Sequence, residues 1–269
     1  MKSTFTKSPL RYPGGKSRAV TKLYEYVPSG TKTMCSPFFG GGSFEIFCAQ
    51  KGIRVYGYDN FQPLVDFWYW LITDPKKLSD EVEQYRPLKP RKKFYELQEK
   101  HLTIKDSFQR AVMFYVLNRT SFSGSTLSGG MATGGLDDNP RFTKSSVDRI
   151  RHFKIDNLSV EFVDFSESIS KHRKDLLYLD PPYLITQKLY GVKGDLHKNF
   201  DHHALIDILK GRNKWILSYN NSKEVRKMYE GYTIHEPSWA YGMSKDKSSK
   251  EVLILSDDIA KKFKSKKSI

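Results

Sequence analysis

The chain has 269 residues, which is long enough for one large domain or for a domain with a substantial insert. Apolar residues make up 38% and aromatic residues 14%, so a wholly disordered chain is excluded. The 45 Lys and Arg residues against 30 Asp and Glu give a net charge of +15. Because self-repulsion of this size disfavours the folded state, the charge favours a polyanionic partner, most simply nucleic acid, over a role in solubility alone.

The sequence gives no sign of membrane insertion or secretion. Its longest apolar run, Ala111–Leu117, falls far short of the ~18 residues that suggest a membrane span. Met1–Lys16 has no apolar stretch of the signal-peptide type, and Cys35 and Cys48 are too few for a disulfide framework or a zinc ribbon. We therefore expect a cytoplasmic protein without a membrane partner.

The first sixty residues predict the opening βαβ unit of a nucleotide-binding sheet. In chain order the predicted elements are a helix over Lys16–Val27, a strand over Thr33–Ser36, a glycine turn over Pro37–Gly42, a helix that Ser43 caps and Gly52 ends, and a strand over Arg54–Tyr58. Asp59 follows the second strand directly.

The sheet pattern is then interrupted. Residues 74–150 predict a basic, mostly helical insert, whose segment Arg119–Thr143 has no apolar period and is expected to be a surface loop or hairpin. Strand patterns resume after the insert, at Leu158–Val163, Asp175–Leu179, Lys214–Tyr219, Tyr232–His235 and Glu251–Leu255. A helix is predicted at Asp201–Lys210, between the second and the third of these strands. We expect an α/β domain built from residues 1–73 and 151–269, with a frayed basic end at Lys261–Lys267.

The first segment that can carry chemistry is Tyr12-Pro13-Gly14-Gly15-Lys16-Ser17. A phosphate loop needs a glycine where Leu10 stands and a strand before it, so an NTPase is disfavoured. The segment is either a plain turn and helix start, or a place where exposed amides and Lys16 hold an anionic group such as a carboxylate.

The second segment is the glycine turn, Phe38-Phe39-Gly40-Gly41-Gly42-Ser43, together with Asp59. Its glycines allow a tight strand-to-helix turn with a ligand close to the backbone. An acid about 20 residues further on is where such folds bind the ribose hydroxyls of an adenosine. The spacing differs from G-x-G-x-x-G, so NAD is disfavoured.

The third segment, Asp180-Pro181-Pro182-Tyr183, directly follows an apolar strand. The prolines cannot continue the strand ladder, so they make a rigid turn at the edge of the sheet where ligands bind. The Asp180 carboxylate, the Pro181 carbonyl and the Tyr183 ring together suit a planar base with an exocyclic amine. The alternative is a bare turn that ends a strand, for which a buried carboxylate would be unfavourable.

In this order, the segments at Tyr12–Lys16, Phe38–Ser43, Tyr58–Asn60 and Asp180–Tyr183 strongly resemble the Dam-type (D12 class) family of DNA adenine N6-methyltransferases. The resemblance implies a Rossmann-like sheet that uses S-adenosylmethionine, with the helical insert as the target-recognition domain. It assigns Tyr12, Lys16 and Asp59 to the cofactor and places Asp164 and Phe165 near the cofactor adenine. With the glycine turn, the predicted cofactor-binding residues are Tyr12, Lys16, Phe39, Gly40, Ser43, Asp59, Asp164, Phe165 and Asp180.

The predicted catalytic residues are Asp180, Pro181 and Tyr183. Accepting both amino hydrogens of adenine at Asp180 and at the Pro181 carbonyl would localise the lone pair on N6 for attack on the sulfonium methyl. The base would flip out of the duplex and stack on Tyr183. This mechanism needs no metal, and His197, Asp201, His202 and His203 are interpreted as a helix N-terminus with surface histidines rather than a metal cluster.

The expected partner is double-stranded DNA, with a cognate restriction endonuclease acting separately as a further candidate. Arg91, Lys92 and Lys93 are predicted to contact phosphates. The predicted DNA-reading residues of the loop are Arg119, Ser121, Ser123, Ser125 and Arg141. The alternatives are an RNA or protein methyltransferase on the same fold, a nuclease, and a basic DNA-binding protein without catalysis. A nuclease is disfavoured because no metal-binding acidic set is evident besides Asp180.

Overall fold

The computed structural model describes residues 5–132, 139–184, 200–237 and 251–267. Before the third strand, the elements are α1 (Val20–Tyr24), β1 (Thr33–Ser36), α2 (Ser43–Gln50), β2 (Arg54–Asp59), α3 (Gln62–Thr73), α4 (Pro75–Glu83), α5 (Arg91–His101), α6 (Ser107–Thr120), a 3₁₀ turn (Phe122–Gly124) and α7 (Lys144–Arg151). The rest are β3 (Leu158–Phe162), α8 (Phe165–Lys171), β4 (Leu176–Leu179), α9 (His202–Leu209), β5 (Trp215–Asn220), α10 (Lys223–Met228), β6 (Thr233–His235), β7 (Glu251–Leu255) and α11 (Asp257–Lys267).

The strands form one seven-stranded sheet in the order β3-β2-β1-β4-β5-β7-β6. Strand β1 lies between β2 and β4, and Cys35 pairs in parallel with Tyr56 of β2 on one side and with Leu177 of β4 on the other. Strand β7 runs antiparallel to β5 and β6. Because β1, β2 and β4 are parallel, their carboxyl ends lie at the same edge of the sheet, which brings together the chain segments that follow them.

This sheet confirms the predicted fold class, a mixed α/β fold of the methyltransferase type. Each predicted strand is present within one or two residues of its expected bounds. The helix at Asp201 is also confirmed, since the Asp201 carboxylate accepts hydrogen bonds from the backbone amides of His203 and Ala204. His197 lies outside the described residues.

Two expectations about chain ends and caps were wrong. Residues 261–267 belong to helix α11 instead of a frayed end, because Phe263 is buried and its ring stacks on Tyr26 with centroids 4.2 Å apart. Helix α2 is capped by Gly42 and not by Ser43, whose side chain makes no capping bond there. Gly42 has a φ of +61°, and a Cβ at this position would lie 2.6 Å from the Phe39 ring.

Helices α4 to α7 lie in the sequence between β2 and β3, as the predicted insert does. Their core is continuous with that of the sheet layer, because the Tyr115 ring of α6 stacks on Phe67 of α3 at 5.4 Å. The domain bounds at residues 74 and 150 remain a prediction. In the described part of the chain, no helix is long and apolar enough to cross a membrane.

Candidate active site

A cavity of about 760 Å³, counted with its open mouth, lies at the sheet edge formed by the ends of β1, β2 and β4. All three sequence segments contribute to its walls. The lining residues include Tyr12, Lys16, Phe39, Gly40, Ser43, Asp59 and Asp180 from the predicted set, and Phe38, Glu45, Tyr178, Pro182 and Phe200 besides. Segments that are up to 168 residues apart in the chain, from Tyr12 to Asp180, thus share one site.

Lys16 is the centre of a buried polar network that we call the lysine cluster, formed by Lys16, Asp180, Tyr183 and Glu251. The Lys16 Nζ lies 2.8 and 2.7 Å from the two carboxylate oxygens of Asp180 and 2.9 Å from Glu251 Oε1. It also donates to the Tyr183 hydroxyl at 3.0 Å, and that hydroxyl donates in turn to Glu251. Lys16 is only 4% exposed, so its ammonium faces these acids and not open solvent.

Burial dominates the electrostatics of the two acids in the lysine cluster. It raises the pKa of Glu251 to about 7, with a smaller rise from Asp180 and an opposing effect of Lys16. Burial also raises the pKa of Asp180, against the attraction of Lys16. The Lys16 ammonium therefore stabilises the ionised form of both carboxylates.

Asp180 keeps part of its carboxylate accessible. Its side chain is 21% exposed and lines the cavity, whereas Glu251 is 2% exposed. An ionised carboxylate can accept about four hydrogen bonds, so the contacts with Lys16 leave acceptor capacity at Asp180 for a donor in the cavity. Pro181 is buried behind it, and Pro182 lines the cavity.

The glycine turn lines the same cavity as Asp180. The Tyr12 ring rests on this turn so closely that a Cβ on Gly41 would lie 2.7 Å from the Tyr12 Cβ. Phe39 is buried, with its ring edge-to-face on Trp68 at 5.0 Å, and its backbone amide donates to the Tyr58 carbonyl. The turn is thus held rigidly while its glycine backbone faces the cavity.

Asp59 lies at the end of β2 with both carboxylate oxygens engaged by the backbone. Gly40 N donates to Oδ2 and Phe61 N to Oδ1, each at 3.0 Å. Burial raises the pKa of Asp59 to about 6, while these amide hydrogen bonds oppose the rise. The carboxylate lines the cavity, and its remaining lone pairs can accept hydrogen bonds from a ligand.

The aromatic rings of Phe38, Phe165 and Phe200 contact one another near the cavity. Phe38 lies 5.6 Å from Phe165 and 5.4 Å from Phe200, and Phe165 and Phe200 are 5.3 Å apart. Phe38 and Phe200 line the cavity, with Phe165 packed against them. The Asp164 carboxylate caps α8 by accepting from the Ser166 amide at 2.9 Å and does not line the cavity.

The predicted DNA-binding residues have two different environments. Arg91, Lys92 and Lys93 are exposed at the start of α5, and Arg141 is exposed as well. Ser123 and Ser125 are partly exposed in the segment that includes the 3₁₀ turn. These six residues remain candidates for contact with a partner.

Arg119 and Ser121 correct the prediction for the loop. The Arg119 guanidinium is 8% exposed and donates to the Arg141 carbonyl at 3.0 and 2.7 Å. Ser121 is fully buried, and its hydroxyl accepts from the Thr126 amide at 3.0 Å. Both residues are buried and stabilise the start of the loop, so neither side chain is placed to contact a DNA base. The predicted loop also begins later than expected, because α6 continues to Thr120.

Sequence reasoning missed five residues of interest: Glu45, Tyr178, Phe200, Glu251 and, in the loop, Phe122. Glu45 could have been noticed as an acid between buried apolar neighbours in α2, and Phe122 as an aromatic in a polar segment. Phe122 is 71% exposed, the largest exposure among the large apolar side chains that the structure describes. Glu251 and Phe200 carry no motif, and their role follows from the fold.

Comparison with known proteins gives a consistent result. A family model of D12 class N6 adenine-specific DNA methyltransferases matches residues 12–243. Type II methyltransferase M2.HphI of Haemophilus parahaemolyticus is 22% identical, over 79% of this chain and 83% of its own. Modification methylase StsI of Streptococcus sanguinis is 25% identical over 93% of this chain and 43% of its own, and a DNA adenine methylase of Salmonella typhi is 27% identical over 65% and 64%. The chain spans less than two thirds of the length of the last two.

Proposed function

The chain belongs to the D12 class N6 adenine-specific DNA methyltransferase family, and from this premise we propose that it transfers a methyl group from S-adenosylmethionine to N6 of an adenine flipped out of double-stranded DNA. The observation that carries the proposal is the meeting of Asp180, Asp59 and the glycine turn around one cavity. Relatives named modification methylases support a restriction–modification setting, with a cognate endonuclease acting on the same sequence.

The cavity suits S-adenosylmethionine in its donor set. Asp59 would accept the ribose hydroxyls, and Phe38 and Phe200 offer apolar ring surface for the adenine. When bound, the cofactor supplies an electrophilic methyl group on a sulfonium.

The target amine is activated by acceptors of this chain. The N6 lone pair of adenine is delocalised into the ring, so the amine is a weak nucleophile. The Asp180 carboxylate would accept one amino hydrogen and the Pro181 carbonyl the other, which draws the lone pair toward the methyl group. Lys16 keeps Asp180 ionised for this purpose, and the Tyr183 ring would stack on the flipped base.

Labelled methyl transfer tests the function directly. Incubation with labelled S-adenosylmethionine is expected to place the label on N6 of adenine in duplex DNA, without cutting and without added metal. Label found only on RNA or protein would favour the alternative methyltransferase, and DNA binding without label would favour a non-catalytic binder. Methylation-sensitive sequencing of DNA from cells that express the chain would then give the recognition sequence.

Substitution of Asp59 tests the cofactor site. We expect Asp59→Ala to weaken S-adenosylmethionine binding by about 1–3 kcal/mol, because the ribose hydroxyls lose their acceptor. Asp59→Asn keeps one amide oxygen as an acceptor and should lose less. Titration calorimetry measures both, and wild-type affinity in the Ala variant would contradict the assignment.

A second region is proposed to bind the DNA. Arg91, Lys92 and Lys93 would contact phosphates, while Ser123, Ser125 and Arg141 would lie at the base edges. Phe122 extends from the same segment into solvent and could fill the gap that a flipped base leaves in the stack. The buried hydrogen bonds of Arg119 and Ser121 at the start of the loop would hold these side chains in position.

The phosphate contacts are expected to appear in the salt dependence of DNA binding. Each neutralised phosphate makes the slope of log K against log salt more negative by about 0.9. The triple variant R91A/K92A/K93A should therefore have a shallower salt dependence, with a slope less negative by up to about 2.7. The matched control removes Lys32, Lys174 and Lys262, which share a pocket at the opposite edge of the sheet. Equal slopes for the two triple variants would place the DNA elsewhere.

A further inference from the structure

Glu45 is a buried acid that the reaction described above does not use. Its side chain is 3% exposed, lies between buried Phe44 and Ile46 in α2, and accepts a hydrogen bond from Ser36 Oγ at 2.8 Å. The cation that acts on it, Lys16, forms its ion pairs with Asp180 and Glu251 instead. An apolar side chain would pack in this helix without the cost of burying a carboxylate, so the acid is better explained by a ligand in the cavity that it lines.

Tyr178 gives a second, independent indication of a ligand at this place. It lines the same cavity, is 1% exposed and packs on Phe44 with ring centroids 4.5 Å apart. Its hydroxyl has no hydrogen-bond partner among the residues that the structure describes. A buried tyrosine hydroxyl normally has one, so this oxygen is available to a bound molecule.

The geometry of strand β4 indicates which part of a bound cofactor would lie beside Tyr178 and Glu45. Tyr178 and Asp180 are two residues apart at the end of β4, so their side chains leave the sheet on the same side. If Asp180 holds the adenine amine, the methyl group that reacts with this amine must lie beside it. The sulfur that carries the methyl group is then close to Tyr178 and to Glu45.

Resting on the proposed function, we propose that the Glu45 carboxylate and the Tyr178 hydroxyl form a subsite for the sulfonium, which makes the enzyme prefer the cationic methyl donor over its neutral product. In the reaction the S–CH₃ bond breaks with its electron pair remaining on sulfur, so S-adenosylhomocysteine is an uncharged thioether at this atom. A carboxylate in a cavity shielded from water attracts the sulfonium but gains nothing from the thioether. The loss of this attraction after transfer would promote release of the product.

Binding measurements with two ligands test the subsite. Dissociation constants for S-adenosylmethionine and S-adenosylhomocysteine are measured by calorimetry at about pH 8, where Glu45, with a pKa that burial raises to about 7, is ionised. We expect Glu45→Gln to weaken S-adenosylmethionine roughly tenfold and to change S-adenosylhomocysteine by less than about twofold. Tyr178→Phe should shift the same ratio in the same direction by a smaller factor, since it removes only a dipole.

The matched control is Asp207→Asn, which neutralises an exposed carboxylate of α9 that pairs with Lys210 on the surface, and it should leave the ratio of the two constants near the wild-type value. Equal weakening of both ligands by Glu45→Gln would overturn the subsite, because both ligands carry the same α-ammonium group on their amino-acid part. Dissociation constants that Glu45→Gln leaves unchanged for both ligands would overturn it as well.

Wild-type protein provides a test that needs no variant. Sinefungin carries an amine near the position of the sulfonium and should bind more tightly than S-adenosylhomocysteine. Tighter binding of the neutral product than of both cationic ligands would overturn the inference. A wild-type protein that binds none of the three would refute the proposed cofactor itself, a result distinct from the failure of the subsite.

Discussion

Asp180→Ala is expected to lower single-turnover methyl transfer to duplex DNA by about 1,000-fold or to below detection. The substitution would remove the acceptor that we propose activates N6, and it would leave only the Pro181 carbonyl. Folding should persist, because the side chain is 21% exposed and Lys16 keeps its contact with Glu251 at 2.9 Å. DNA binding should persist as well, because the basic surface at α5 is unchanged.

The measurement uses labelled S-adenosylmethionine with enzyme in excess, and circular dichroism checks the fold. Asp207→Ala is the matched control, since this exposed acid of α9 pairs with Lys210 on the surface. A folded Asp180→Ala protein that methylates at close to the wild-type rate would refute the mechanism. Tyr183→Ala should also slow turnover by losing base stacking, and Tyr183→Phe, which keeps the ring, should lose less.

Lys16→Met is expected to destabilise the protein by about 3–5 kcal/mol, the usual cost of removing one partner from a buried ion pair. Lys16 is 4% exposed and its ammonium contacts both Asp180 and Glu251, so its loss removes the cation that both carboxylates share. Urea denaturation measures the free energy of unfolding of the variant and the wild type.

The pH dependence of this effect has a definite sign. Burial raises the pKa of both acids in the folded state, and without Lys16 the rise should be larger. A folded state that binds more protons than the unfolded state loses stability as the pH increases, so the deficit should be larger at about pH 8 than at about pH 5. The double variant K16M/E251Q should recover part of the loss, because a neutral amide replaces one of the two carboxylates. Equal stability of Lys16→Met and wild type at about pH 8 would contradict this account of the lysine cluster.

The amino-acid sequence by itself determined the strand pattern and the three segments of the site. Alternating or continuous apolar residues set the strands, and Gly40 and Pro181 mark the turns where the chain must leave the sheet, which are local properties. The order of these elements was enough to predict the α/β class, because parallel strands must place the residues at their carboxyl ends along one edge. Asp59 and Asp180 were found in this way.

Only the tertiary structure decided which side chains share an environment. Glu251 begins a strand 71 residues after Asp180 and carries no motif, and it enters the lysine cluster because β7 inserts antiparallel between β5 and β6. Arg119 appears in the sequence as a surface cation, but the Arg141 carbonyl binds its guanidinium in the interior. Local patterns set the direction of the backbone, whereas burial and partners arise from residues far apart in the chain, so no short motif could have revealed either contact.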